Sequence, residues 1–208
     1  MTELRGVVAA GGRRFGALCC RAVWGVLLLV ALSLPACATS KPTLVVLVGG
    51  AGLSQLGDLG ETISAMCPDA DVMEASGWDG FRADLKRIVK ERPSRGLVLV
   101  GHSFGCETIA KAAAGIPAVD LVVMIDPAWD DITLGPTIGS CLWYQRGDAG
   151  MERQAVVRNG GRPILIGGDH NDICHSQRLR EEVARVVMEL SESKARQERM
   201  RSLMGVGG

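Results

Sequence analysis

Residues 97–105 read Leu97-Val98-Leu99-Val100-Gly101-His102-Ser103-Phe104-Gly105, an apolar run that ends in a pentapeptide with glycine at its first and last positions. Four consecutive aliphatic residues leave no polar face, so the run reads as a strand buried on both sides, the pattern of a parallel sheet covered by helices. Residues 103–114 are rich in small side chains, stop at Gly115 and are followed by Pro117, which reads as a helix and its end. A strand that becomes a helix within residues 101–105 turns so tightly that a Cβ at 101 or 105 would strike the flanking strand or helix. Ser103 is then left at the sheet edge and at a helix N-terminus, where the dipole favours negative charge.

The same alternation extends outward in both directions. Residues 44–48 (LVVLV) form a buried strand that stops at Gly49-Gly50-Ala51-Gly52, and residues 53–66 place Leu56, Leu59, Ile63 and Met66 at helical spacing. A short strand over 71–75 is followed by a helix over 78–90 with Phe81, Leu85, Ile88 and Val89 on one face. Strands follow at 121–125, 141–145 and 164–166, then a closing helix over 177–190 whose stripe is Leu179, Val183, Val186, Val187 and Leu190. Residues 191–208 are a charged, glycine-ended tail, expected to be a frayed helix end. The pattern predicts an α/β fold, a three-layer α/β/α sandwich with a mostly parallel sheet. Ligands of such sheets bind beyond the carboxyl ends of the strands. The residues there are 49–52, 101–105, Asp126, Asp148 and Asp169-His170.

The 208 residues, 47% apolar and 22% charged, fit one globular domain, expected to be a monomer. Its 23 basic and 23 acidic residues cancel, which disfavours a nucleic-acid partner. Four of the basic residues and one acid lie in residues 1–36, so the remainder holds 19 against 22. Arg5, Arg13, Arg14 and Arg21 precede an uncharged stretch, residues 22–34, shorter than the roughly 20 residues a span needs; this is a secretory signal layout. Leu34-Pro35-Ala36-Cys37 resembles a bacterial lipobox. The resemblance implies that Cys37 is acylated and tethers the mature protein to a membrane of the cell envelope, facing the periplasm or the exterior; without the anchor the protein would be secreted. The expected organisation is a signal peptide over 1–36, lipidated cysteine and linker over 37–42, the domain over 43–190 and the tail over 191–208. Cys67, Cys106, Cys141 and Cys174 could pair in three ways in an oxidising envelope, although Cys106, in an alanine-rich helix, reads as a buried thiol.

In its strand-turn-helix context, GHSFG (residues 101–105) resembles the nucleophile elbow of the α/β-hydrolase superfamily, and is most similar to that of thioesterases, lipases and small esterases. The resemblance spans residues 43–190. It implies a serine hydrolase that cleaves a carboxylic ester or thioester through an acyl-enzyme, with no metal or organic cofactor. A serine hydroxyl needs an imidazole to take its proton and a carboxylate to hold that imidazole. Of the three histidines, His102 fills the variable elbow position and points away in the family pattern. His170, four residues after Ile166, stands where the family places its base; His175, just before the N-cap candidate Ser176, is the alternative. Asp126, 23 residues after Ser103, is the favoured acid and Asp148, one strand later, the alternative; with either, the order Ser, Asp, His holds. The oxyanion donors are expected from the N–H of Phe104 and from Gly50 or Ala51.

Other readings compete. Residues 50–55 (GAGLSQ), with Glu74 at the next strand end, half-resemble a dinucleotide fingerprint, but Gln55 replaces the third glycine and an NAD-type oxidoreductase leaves the elbow unexplained. Asp169, His170, Asp172, Cys174 and His175 are metal-ligand types that match no zinc spacing. A lipid-anchored hydrolase-fold module that binds an envelope partner without catalysis is the stronger rival. The segment over 127–162 is too short for a large lid, so the site is expected to be shallow and open. Trp78 and Trp129, after strand ends, suit an acyl pocket or the core equally.

Overall fold

Runs of β-branched residues and leucine make the central layer: β1 (Thr43–Val48), β3 (Gly96–His102) and β4 (Val119–Ile125) are buried almost throughout. They lie in a six-stranded, all-parallel sheet with β2 (Ala70–Ala75), β6 (Ile138–Arg146) and β8 (Ile164–Ile166), in the order β2-β1-β3-β4-β6-β8. The computed structural model describes residues 41–50, 56–75, 81–128, 131–147 and 156–205. All that follows concerns the unit Lys41–Gly208. The signal, lipobox and Cys37 expectations lie outside the described residues.

Alternating side chains of each strand feed two cores. Leu44, Val46, Leu97, Leu99, Val122 and Met124 pack beneath α2 (Phe81–Glu91) and α3 (Phe104–Ala113). Val45, Leu47, Val98, Val100, Val123 and Ile125 pack beneath α1 (Gly57–Met66) and α4 (Gln177–Leu203). Each fully buried aliphatic side chain contributes about 1.5–3 kcal/mol, so burial on both faces is what favours unbroken apolar strands. The expected three-layer α/β/α sandwich is thus the observed fold. Among the described residues, no helix is long and apolar enough to cross a membrane.

Several elements differ from the sequence expectation. The strand expected over 141–145 is the nine-residue β6, an interior strand whose exposed first half hid its start. Two two-residue strands, β5 (Ile132–Thr133) and β7 (Val157–Arg158), pair in a small parallel sheet of their own; strands that short show no periodicity. The closing helix does not fray at Leu190 but continues to Leu203. Ser191 and Ala195 are buried, Arg95 Nη2 donates to Ser191 Oγ at 2.7 Å, and Lys194 pairs with Asp120. The domain therefore extends past residue 190, because polar contacts at the foot of the sheet replace the apolar stripe. Cys67, Cys106, Cys141 and Cys174 are all unpaired, and the Cys106 thiol donates to the Gly101 carbonyl at 3.1 Å.

The chain runs from β1 outward to β2, then returns to β3 on the other side of β1. Strand order thus reverses between β1 and β3, the place where open α/β sheets leave a crevice. Register aligns Val48 with Gly101, His102 with Ile125, and Ile125 with Tyr144. Gly50, Ser103 and Asp126 are thereby brought to one edge of the sheet.

Candidate active site

The elbow is held by close contacts between backbones. A Cβ on Gly101 would lie 2.7 Å from the Cys106 nitrogen, and one on Gly105 would run into the Val48 carbonyl. Ser103 sits between them at φ 56°, ψ −124°, a conformation L-residues avoid unless the surroundings impose it. Its N–H donates to the Ile125 carbonyl at 3.0 Å. A Cβ on Gly50 would lie 2.8 Å from Ser103 Cβ and 3.1 Å from Oγ, so glycine there lets the β1 loop approach the hydroxyl. Phe104 is the first residue of α3. Ala51, the other expected oxyanion donor, lies outside the described residues.

Asp126 follows β4 at φ 43° and is buried, with its N–H on the Tyr144 carbonyl at 2.9 Å. Its Oδ2 accepts from His170 Nδ1 at 2.5 Å and from Arg146 Nε at 2.7 Å. Because a carboxylate only accepts, the His170 proton is on Nδ1 and Nε2 is the bare nitrogen. Ser103 Oγ–H therefore donates to Nε2, at 2.9 Å. A serine hydroxyl, an imidazole and a carboxylate from three separate strand ends form one hydrogen-bonded line, the arrangement that can deprotonate a hydroxyl as it attacks.

His170 stands on the loop between β8 and α4. Gly168 turns that loop at φ 112°, and Asp169 Oδ1 accepts from the N–H groups of Asn171 and Asp172 at 2.8 Å each. Those N–H donors, Asp172 first, hold the Asp169 carboxyl below its usual range. The 3₁₀ turn Asp172–His175 follows, with Cys174 buried and burial pushing its thiol up to about 12.

The alternative base is elsewhere. His175 Nδ1 pairs with Asp58 of α1 at 2.9 Å, in an exposed cluster with Arg180, and its hydrogen bond holds the Asp58 carboxyl below its usual range. Asp148, the alternative acid, lies outside the described residues, as do Trp78 and Trp129. Asp169, His170, Asp172, Cys174 and His175 do not converge, and among the described residues no three His, Cys, Asp or Glu side chains form a metal-binding group.

Two residues of this site escaped the sequence reading. Arg146 ends β6, at the end of the strand expected over 141–145, but nothing in the sequence turned its guanidinium toward Asp126. His102, expected to point away, instead has its ring centroid 4.9 Å from that of His170, with Nε2 2.9 Å from the His170 carbonyl. Strand alternation puts residue 102 on the same face as Val98 and Val100, and the loop carrying His170 crosses that face. Compared with protein-family models and with curated proteins, the chain matches none.

Proposed function

We propose that the chain is a serine hydrolase that cleaves a carboxylic ester or thioester through an acyl-enzyme. The observation that carries this reading is the line Ser103 Oγ to His170 Nε2 at 2.9 Å and His170 Nδ1 to Asp126 Oδ2 at 2.5 Å, at the carboxyl edge of a parallel sheet. In the reaction Ser103 Oγ attacks the carbonyl carbon and passes its proton to His170 Nε2. Asp126 keeps the Nδ1 proton in place and balances the imidazolium. The oxyanion is expected to take the N–H of Phe104 and a second N–H from Gly50 or Ala51; one such donor contributes about 2.7–4 kcal/mol. The tetrahedral centre then collapses, His170 protonates the leaving alkoxide or thiolate, and the acyl group stays on Ser103. A water then gives its proton to His170 as its oxygen attacks the acyl carbon, and the bond to Ser103 Oγ breaks as His170 returns that proton to Oγ, releasing the acid.

Lipobox and signal layout support placing this activity at a cell-envelope membrane, tethered through Cys37. The test of the chemistry is labelling of the full chain with a fluorophosphonate probe, alongside Ser103→Ala and His170→Ala. Labelling is expected in the wild type, absent in Ser103→Ala, and about 10⁴-fold or more slower in His170→Ala. A folded wild-type chain that takes no label would overturn the enzyme reading in favour of a binding module.

A further inference from the structure

The residue that carries the base is attached to the least secured part of the sheet. β8 has three residues, pairs with β6 alone among the described residues, and leads into a loop through Gly167 and Gly168. Asp169 organises the turn that follows, and its carboxylate also feels the Arg146 guanidinium. The main chain of that loop is met from the centre of the sheet by His102, the last residue of β3, which is 1% exposed.

The chemistry of that contact assigns the ring protons. A main-chain carbonyl only accepts, so His102 donates from Nε2. Burial pushes its imidazole down to about 4, so the ring is neutral near pH 7 and Nδ1 is bare. That Nδ1 is buried and has no hydrogen-bond partner among the described residues. A histidine that leaves one nitrogen unsatisfied fills this space less well than an apolar side chain would, which calls for a reason for its presence. The reason lies in its neighbour. Consecutive residues grip the two ends of His170: Ser103 meets its ring nitrogen at 2.9 Å and His102 its carbonyl at 2.9 Å.

We propose that His102 is a positioning residue, whose Nε2–H holds the His170 carbonyl and so sets that imidazole in register with Ser103. The inference rests on reading His170 as the base of a serine hydrolase. It acts through geometry alone, since a displacement of about 1 Å at a reacting group can cost on the order of 100-fold.

The test compares fluorophosphonate labelling rates of full-length wild type, His102→Leu and His102→Gln. Leucine fills the space without a donor, whereas the glutamine amide reaches about as far as Nε2. His102→Leu is expected to slow labelling about 10- to 100-fold, and to lower kcat on a small ester with KM nearly unchanged. His102→Gln is expected to restore most of the rate, which a purely space-filling role would not do. If the wild type labels and His102→Leu labels equally fast, the positioning role is wrong and the hydrolase reading stands; if the wild type does not label, both fall. The bond can also be read without substitution. With only three histidines in the chain, ¹⁵N-histidine NMR of the wild type should give a slowly exchanging His102 Nε2–H coupled to the His170 carbonyl carbon, and a His102 protonated on Nδ1 would overturn the proposal even if both variants fail to fold.

Discussion

The centre and the edge of the sheet hold the candidate site by different physics. At the centre, β3 is flanked by β1 and β4, all seven of its residues are buried, and Ser103 is fixed by backbone packed on backbone at Gly101 and Gly105. At the edge, β8 has one neighbour among the described residues, Leu165 is 57% exposed, and His170 is fixed by hydrogen bonds to Asp126, Ser103 and His102. Ser103 is thus located by steric exclusion, which admits one solution, and His170 by polar contacts, each of which can be removed singly. Perturbing the first should break the fold, and perturbing the second should grade the activity.

Asp126, the proposed acid, offers the largest effect. Asp126→Asn should leave the fold intact and reduce kcat by about 10⁴-fold, because an amide can favour the wrong imidazole tautomer. Asp148→Asn should stay within about twofold, and ester hydrolysis by the two variants measures the contrast. The reverse result would move the acid to the segment beyond β6.

Steric exclusion is tested by one added methyl at each location. Gly105→Ala drives a Cβ into the Val48 carbonyl and should destabilise the chain by about 3 kcal/mol. For a unit of this size that lowers Tm by roughly 6–12 °C in a thermal melt. Gly167→Ala, where a Cβ would meet nothing within 4 Å, should leave Tm within about 1–2 °C. Equal losses at both positions would erase the distinction between centre and edge.

The smallest expected effect links the two regions through pH. His102 falls from an ordinary value of 6.5 to about 4 in the fold, so between these values the unfolded chain binds the extra proton. The stability this contributes is present above about pH 6.5 and lost as pH falls toward 4. Between pH 7 and pH 5 the loss is about 2 kcal/mol, readable by urea unfolding. His102→Leu should flatten that part of the curve, and an unchanged slope would mean that the ring is not held neutral.

Legibility followed locality. The elbow, the parallel α/β class and the strands β1, β3 and β4 were all readable, because burial on both faces demands unbroken apolar runs and the elbow demands its glycines. β6 was read short, since its first half is polar on an exposed stretch, and β5 and β7 are too brief to carry a period. The closing helix was cut at Leu190 because its continuation is held by Ser191 and Lys194 rather than by an apolar stripe. The pairing of Arg146 with Asp126 had no local signal, and strand alternation gives the face of His102 but not the loop that crosses it.

What the sequence determined alone is the geometry that neighbours along the chain impose: a strand, a glycine-bounded turn at Ser103, a helix, and a layer order. Tertiary structure decided which partners reach that serine. His170 comes to Ser103 from 67 residues away and meets Asp126 across 44, while His175, five residues further on, is drawn off to Asp58. The register of parallel strands and the path of one loop make that selection, and both depend on packing between segments distant in the chain, which no local pattern of residues records.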